Sequence, residues 1–251
     1  MDIEAYLKRI DASRPAKPDL AALTELQRRH MLHVPFENLD VIRQVPITLD
    51  IASFYEKVIG RRRGGFCYEL NGLFSTLLKE LGFSVRLIAA TVAKPDGTWG
   101  MPESHATILA ELDRAYLVDV GFGDSARSPV PLDGIPVEDV SGVYRAAKVP
   151  EADGLLYDLQ RAGEDGGWKA LYRFSAAPRS LGSFAEACTF NQTSPESHFT
   201  QKLLATKATA TGRVTISGDQ LIETDGDVKS KRPLAPEELE KTLNSRLGLF
   251  I

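Results

Sequence analysis

The sequence predicts an α+β fold, in which helices come first, strands dominate the middle and a mixed segment ends the chain. Apolar residues in the first third recur at helical spacing, whereas from Val85 onward they follow the alternation of strands, and no alternating strand–helix–strand pattern is present. The chain has 251 residues, of which 43% are hydrophobic and 25% charged, so it can bury a sizeable core.

Capping residues define the helices of the first third. Asp2 and Asp19 can each cap the helix that follows, and the second helix ends before Pro35, because a residue that precedes proline is pushed out of the α region. The predicted helices are Asp2 to Ile10, Leu20 to Leu32 and Ile51 to Ile59.

A fourth helix begins near Cys67, is preceded by Gly64 and Gly65, and ends at Gly82. One buried face of this helix is marked by Leu70, Leu73, Phe74, Leu77, Leu78 and Leu81. The free N–H groups and the dipole at the helix start favour a thiolate, so Cys67 is a candidate nucleophile. The two glycines allow a tight turn and a close approach of substrate. The alternative is that Cys67 is simply a small buried hydrophobic residue.

Turn residues separate the strands of the middle and the end of the chain. The predicted strands are Val85 to Ala93, His105 to Glu111, Ala115 to Phe122, Leu155 to Arg161, Trp168 to Phe174, Lys207 to Ile216 and Gln220 to Glu223. A last helix is predicted from Pro236 to Leu247, with proline in its first turn.

His105 and Asp119 complete a candidate triad with Cys67. Asp119 interrupts an apolar strand, where a carboxylate is costly to bury unless a partner pairs with it. Pairing with Nδ1–H of His105 would satisfy it and leave Nε2 to face the thiol. This needs a three-residue hairpin loop at residues 112–114, because a two-residue loop puts the two side chains on opposite faces. Among the other histidines, His30 is expected at the surface.

Composition and spacing argue against several other functions. A net charge of −4 and a pI near 5.7 are unlike those of a nucleic-acid binder. No apolar run reaches the roughly 18 residues of a membrane span, and the N-terminal segment lacks the apolar core of a signal peptide. Neither the cysteines nor the histidines show metal-ligand spacing, and residues 119–123 lack the glycine pattern of a dinucleotide site.

The two cysteines lie too far apart in sequence for a disulfide framework, and Cys188 is expected to be structural. We therefore expect a cytoplasmic protein whose partner is a small molecule, with no membrane or nucleic-acid partner.

The segment Arg63-Gly64-Gly65-Phe66-Cys67-Tyr68-Glu69-Leu70-Asn71 resembles the active-site signature of the arylamine N-acetyltransferases. Further stretches are similar to the family and follow its order: Val34-Pro35-Phe36-Glu37-Asn38-Leu39, then Ser104-His105 with Asp119-Val120-Gly121-Phe122-Gly123, then Phe190-Asn191 followed by Ser194, Ser197 and Phe199.

The resemblance implies a three-part architecture with a Cys-His-Asp core like that of cysteine proteinases. Residues 1–84 would form an N-terminal helical bundle that carries the nucleophile. Residues 85–185 would form a central β-barrel with the histidine and the aspartate, and residues 186–251 a C-terminal α/β lid.

The resemblance also implies an activity and the residues that serve it. Cys67, His105 and Asp119 would form the triad, and Phe36 and Phe122 would line the acceptor pocket. The family moves acetyl from acetyl-CoA to arylamines, arylhydroxylamines or hydrazines by a ping-pong route. Acetyl-CoA is then a co-substrate, and no permanently bound cofactor is expected.

Three alternative functions stay open. A thiol hydrolase or transglutaminase-like enzyme has the same chain order of cysteine, histidine and aspartate. An amide synthase built on the same scaffold takes its acyl group from a carrier protein. A non-catalytic scaffold that binds a partner gives no reason for Asp119 in an apolar strand.

Overall fold

The protein is described from a computed structural model, which covers residues 1–150 and 156–250. The helices are α1 (Ile3–Arg9), α2 (Leu20–His33), α3 (Leu39–Ile42), α4 (Ile51–Tyr55), α5 (Cys67–Glu80), α6 (Ala185–Thr193), α7 (His198–Gln201) and α8 (Pro236–Thr242). Short π-helical turns, Glu56–Gly60 and Leu243–Leu247, extend α4 and α8.

The strands form two antiparallel sheets. They are β1 (Phe36–Glu37), β2 (Ser84–Val92), β3 (His105–Glu111), β4 (Ala115–Val118), β5 (Val130–Pro131), β6 (Val137–Asp139), β7 (Gly142–Lys148), β8 (Leu156–Ala162), β9 (Trp168–Ser175), β10 (Leu204–Ala208), β11 (Gly212–Ser217), β12 (Gln220–Asp225) and β13 (Val228–Pro233).

The predicted helices are present, and their caps are those that the sequence indicates. Asp2 accepts a hydrogen bond from the N–H of Ala5, and Asp19 accepts one from Ala22, each at 3.0 Å. These bonds satisfy donors that a helix start leaves free. The long apolar face of α5 is buried against β2 and β3, so the helix that begins at Cys67 lies along the central sheet.

The central sheet has eight strands in the order β5-β4-β3-β2-β9-β8-β7-β6. Contacts between β5 and β7 bring its two ends together, so the sheet is a nearly closed barrel. Aromatic side chains, among them Tyr144, Tyr172 and Phe174, fill one side of this sheet. The predicted α+β class with a central barrel is confirmed.

The second sheet joins the two ends of the chain. Its order is β1-β10-β11-β12-β13, and Phe36 in β1 pairs with Thr206 in β10. Leu243 and Leu247, which follow α8, are buried in the core on this sheet. One strand of the C-terminal α/β part is therefore supplied by the first third of the chain, and the boundaries after residues 84 and 185 stay a prediction.

Two predicted strands are wrong in extent. The strand Ala115 to Phe122 ends at Val118, for a reason that the site below explains. The strand Lys207 to Ile216 is the end of β10 and most of β11, joined by a tight turn in which Thr209 donates its N–H to the carbonyl of Gly212. Residues 209–211 include neither glycine nor proline, and Gly212, just after them, is the one turn signal inside the predicted strand.

Several elements are missing from the sequence prediction. Strand β13 was missed because all six of its residues are exposed, so it has no apolar alternation. Strands β5 and β6 have only two and three residues, which is too short for the alternation of a strand to show in the sequence. Leu155, the first residue of another predicted strand, lies outside the described residues.

The prediction that His30 lies at the surface is wrong. Its side chain is completely buried on the same face of α2 as Leu23 and Leu26. Its Nδ1 lies 3.0 Å from the hydroxyl of Tyr6, and its ring meets Phe74 edge-on at 5.1 Å. Burial, reinforced by nearby positive charge, lowers the pKa of His30 to about 3. The folded protein therefore keeps this imidazole neutral.

This burial predicts an acid-sensitive stability. The unfolded imidazole binds a proton near pH 6.5, whereas folded His30 does so only near its lowered pKa, so stability is lost as pH falls below about 6.5. We expect this group to contribute a slope of up to about 1.4 kcal/mol per pH unit, which His30→Gln removes. Urea unfolding at several pH values measures it. His33→Gln, a half-buried residue at the end of the same helix, is the control, and equal slopes in wild type and His30→Gln would contradict the prediction.

Candidate active site

Cys67 is the first residue of α5 and is 4% exposed. The side chain of Glu69 fixes this helix start, because its Oε2 accepts the N–H of Phe66 at 3.0 Å. Lys57 in turn donates to Oε1 of Glu69 at 2.9 Å. The thiol is thus held at a helix N-terminus, as the sequence predicts.

The two glycines before Cys67 are required by close packing of protein segments. A Cβ on Gly64 would lie 2.1 Å from the carbonyl oxygen of Pro35, and one on Gly65 would lie 2.6 Å from Oε2 of Glu69. Neither glycine has a positive φ. Gly64 lets the segment at β1 approach, and Gly65 leaves room for the side chain of Glu69. The N–H of Glu37 donates to the carbonyl of Gly65 at 2.9 Å.

A buried cluster of charges lies behind the helix start. Arg63 donates to Glu37 at 2.8 Å and to Asp40 at 3.0 Å. Lys57 lies 2.7 Å from Asp40 and 2.9 Å from Glu69. Burial raises the pKa of Glu69 to about 7, although the charge of Lys57 opposes the shift. The cluster links the Val34–Leu39 stretch to the segment that enters α5, and removing one member would leave a buried charge unpaired.

His105 and Asp119 lie on the same face of the central sheet. Glu111 pairs with Ala115, so the hairpin loop has the three residues that this geometry requires. Nε2 of His105 lies 2.7 Å from Oδ2 of Asp119, and both side chains are buried.

The imidazole is oriented opposite to the prediction. We expected Nδ1 to bind Asp119 and Nε2 to face the thiol, whereas Nε2 binds Asp119 and leaves Nδ1 for Cys67. The two backbones are diagonal neighbours, roughly 7–8 Å apart, so the far nitrogen of the ring is the one that spans the distance. Burial alone would lower the pKa of His105, but the Asp119 carboxylate, and to a smaller extent the nearby Cys67, raise it to about 10.

Four donors surround the carboxylate of Asp119. Besides His105, the hydroxyl of Tyr172 donates to Oδ2 at 2.9 Å, and Oδ1 accepts from Nδ2 of Asn71 at 2.9 Å and from the N–H of Gly121 at 2.8 Å. Burial alone would raise the pKa of Asp119, but His105 and these hydrogen bonds lower it. The site therefore holds an ionised carboxylate beside a protonated imidazole.

Asn71 explains why β4 ends early. Its Nδ2 donates to the carbonyl of Ala106 at 2.7 Å, and its Oδ1 accepts the N–H of Val120 at 3.0 Å. Extending the register of β3 and β4 would set Ala106 opposite Val120, so the amide of Asn71 takes the place of a direct backbone bond. The chain then turns at Gly121, where a Cβ would lie 2.8 Å from the Cα of Cys67.

Aromatic side chains contact the imidazole of His105. Phe122 meets the ring of His105 at 5.4 Å and that of Tyr172 at 5.1 Å. Phe36 lies beside Gly123 and contacts Phe199 of α7 at 5.9 Å. Phe122 thus contacts the imidazole, Phe36 lies beside the glycine that follows Phe122, and a role of the two in an acceptor pocket stays a prediction.

Sequence reasoning on single residues missed Asn71, Tyr172 and Phe199. Asn71 lies one helical turn after Cys67, on the side that faces Asp119, and this spacing could have identified it. Tyr172 is a strand residue with no local signal.

Neither a metal-binding group nor a membrane-spanning helix is found among the described residues. Among them, no three histidine, cysteine, aspartate or glutamate side chains form a group that could hold a metal ion. Within the same ranges, no helix combines the length and the apolar character needed to cross a membrane.

Comparisons with known proteins agree on one family. Residues 19–251 match the family model described as N-acetyltransferase. An arylamine N-acetyltransferase pineal gland isozyme of Gallus gallus is 30% identical over 100% of this chain and 95% of its own length. The arylamine N-acetyltransferase of Mycolicibacterium smegmatis is 33% identical over 88% and 82%. The solved structure of Mycobacterium marinum arylamine N-acetyltransferase in complex with CoA superposes with a TM-score of 0.89, at 32% identity, over 98% of this chain and 92% of that one.

The charge on His105 depends on Asp119, which gives a test of the site geometry. In Asp119→Asn we expect the pKa of His105 to fall from about 10 by roughly 2 units or more, because the neutral amide no longer favours the imidazolium. NMR titration of labelled histidine measures it. Asp139→Asn, which changes a buried aspartate bound to the N–H of Arg127, is the matched control and should leave His105 unchanged. An unshifted His105 in Asp119→Asn would refute the ion pair.

Proposed function

Because this chain belongs to the arylamine N-acetyltransferase family, we propose that it moves an acetyl group from acetyl-CoA to an arylamine, arylhydroxylamine or hydrazine through a thioester on Cys67. The observation that carries this proposal is the bond of 2.7 Å between Asp119 and His105, whose pKa is also raised by the nearby thiol at the start of α5. Together, the thiol and the imidazole provide a nucleophile and a group that can hold and return a proton.

In the first half of the reaction, the Cys67 thiolate attacks the carbonyl carbon of acetyl-CoA. A carbon–sulfur bond forms to Cys67, the bond to the CoA sulfur breaks, and CoA leaves with the proton of His105. One thioester replaces another, so this exchange is nearly balanced in energy. The raised pKa of His105 supports this role, because the imidazole is then protonated before attack.

In the second half, the nitrogen of the acceptor attacks the acetyl-cysteine. The new carbon–nitrogen bond forms, the bond to Cys67 breaks, and His105 takes the proton from nitrogen. Asp119 does not need to change its own protonation state. Its contact through Nε2 fixes the ring so that Nδ1 serves the sulfur in both halves.

The acceptor would be a flat aromatic amine or hydrazine. Phe122 lies against His105, and we propose that it and Phe36 line the acceptor pocket, with Phe199 beside Phe36. Aromatic walls favour flat weakly basic amines and keep water from the thioester. The reaction needs a reduced thiol, which fits a cytoplasmic location, and both cysteines are free.

Mass spectrometry after addition of acetyl-CoA tests the proposal. We expect an adduct of about 42 daltons on Cys67, which an arylamine removes while the N-acetylated amine appears. Cys67→Ser should lose both the adduct and turnover. Cys188→Ser is the matched control, because Cys188 is also buried but bonds only with Gln192 in the described structure.

The same experiment separates the alternative functions. An adduct that disappears equally fast without amine would indicate a thiol hydrolase. A Cys67 that accepts no acetyl from acetyl-CoA, but accepts acyl groups from a carrier protein, would indicate an amide synthase. Full turnover by Cys67→Ser would overturn covalent catalysis.

A further inference from the structure

A hydrogen bond joins the neighbour of Cys67 to the neighbour of His105. Tyr68 follows Cys67 in α5, and its hydroxyl donates to the carbonyl oxygen of Ser104 at 2.6 Å. Ser104 precedes His105, the first residue of β3. Tyr68 is completely buried, and burial raises its pKa, so the hydroxyl keeps its proton and remains a donor.

The C-terminal part of the chain reaches the same hydroxyl. Nδ2 of Asn191, in α6, donates to the oxygen of Tyr68 at 3.0 Å and approaches the carbonyl of Ser104 at 3.4 Å. Asn191 is 6% exposed, and its own carbonyl accepts a hydrogen bond from Ser197 at 3.2 Å. One buried group of side chains therefore connects α5, the start of β3 and α6.

Ring packing does not require this hydroxyl. The ring of Tyr68 contacts Phe66 at 5.0 Å and Phe184 at 5.5 Å, and a phenylalanine could keep both contacts. The hydroxyl adds only its hydrogen bonds to Ser104 and Asn191. The two functions of Tyr68 can therefore be tested separately: its ring packs against Phe66 and Phe184, and its oxygen positions Ser104 and Asn191.

The Tyr68 hydroxyl and Asn71 bind different residues next to His105. Asn71 binds Ala106, which follows His105, and Asp119, whereas Tyr68 binds Ser104, which precedes His105. Before His105, the chain passes through Glu103, which has a φ of +52° and forms an exposed ion pair with Arg179. Exposed ion pairs hold a segment weakly. The bond from Tyr68 is a contact from a buried side chain at this end of β3.

We propose that the Tyr68 hydroxyl and the Asn191 amide are positioning groups that set the separation between the Cys67 sulfur and the His105 ring. This rests on the proposed function, in which that pair is the reacting dyad. It also gives Asn191 a role, which the family resemblance does not assign. Asn191 lies in α6, and the chain continues from α6 through Ser197 to α7 and Phe199. The segment that carries the pocket wall is thereby tied to the dyad.

Alkylation of Cys67 by iodoacetamide tests the proposal without using acetyl transfer. The thiolate is the species that iodoacetamide alkylates, and the imidazolium of His105 favours it, so the alkylation rate reports how well sulfur and ring are held together. For Tyr68→Phe we expect a rate about tenfold lower than wild type near pH 7, because one hydrogen bond is lost. In a His105→Gln background, which has no imidazole to position, the same substitution should have little further effect. Tyr144→Phe is the matched control: it removes a buried hydroxyl that bonds with Ser141 at 2.9 Å inside the barrel.

Asn191→Leu provides a second variant of similar size. We expect a loss of about threefold to tenfold in the alkylation rate near pH 7, and the double variant should be no slower than Tyr68→Phe, because both act through one oxygen. The other ionisable groups whose charges act here are Glu69, Asp119 and Cys188, and they are unchanged in every variant. Thermal unfolding of each variant shows how much stability each substitution removes.

Each outcome decides the question. If Tyr68→Phe is alkylated at the wild-type rate, or if the substitution slows alkylation as much in the His105→Gln background as in the wild-type background, the hydroxyl does not position the pair and the inference is wrong. If the two single variants add in full, Asn191 does not act through Tyr68, and that part is wrong. Failure of wild type to form the acetyl adduct would overturn the proposed function, whereas a normal adduct with an unchanged alkylation rate in Tyr68→Phe would overturn this inference alone.

Discussion

The ionised carboxylate of Asp119 inside the protein is the constraint on which the site depends. A buried carboxylate is stable only if charge and hydrogen bonds replace its water. Here a helix supplies Asn71, two strands supply His105 and Tyr172, and the backbone at Gly121 supplies the fourth donor. Because these donors come from separate parts of the chain, satisfying one charge fixes α5, β3, the end of β4 and β9 together.

The amide of Asn71 shows how a helix and a sheet can share one site. A continuous ladder between β3 and β4 would keep Asp119 in a regular strand, whereas the amide replaces one ladder bond and lets the chain turn toward Cys67. Both backbone groups stay satisfied, so the break costs little. The close approach at Gly121 then places the strand end beside the sulfur-bearing residue, where no larger side chain would fit.

Much of the fold could be predicted, because its signals are local. The helix caps at Asp2 and Asp19, the apolar face of α5 and the hairpin at residues 112–114 depend on neighbours in sequence. Contacts distant in sequence could not be predicted in this way. The burial of His30 is favoured by Tyr6 and Phe74, and β13 has no apolar pattern because it packs no side chain inward. Which imidazole nitrogen binds Asp119 depends on a separation across the sheet, which the sequence does not state.

The difference between contacts near and distant in sequence also applies to the motif around Cys67. The stretch around Cys67 combines residues with different tasks: Arg63 and Glu69 belong to the buried charge cluster, Tyr68 reaches Ser104 and Asn71 reaches Asp119. In a helix, neighbouring residues point in different directions, so a short segment can contact the bundle, the barrel and the C-terminal part at once. A substitution in this segment therefore removes a buried contact even at a position that does not carry the thiol. The segment joins three parts of the chain at one residue, Cys67, in addition to supplying its sulfur.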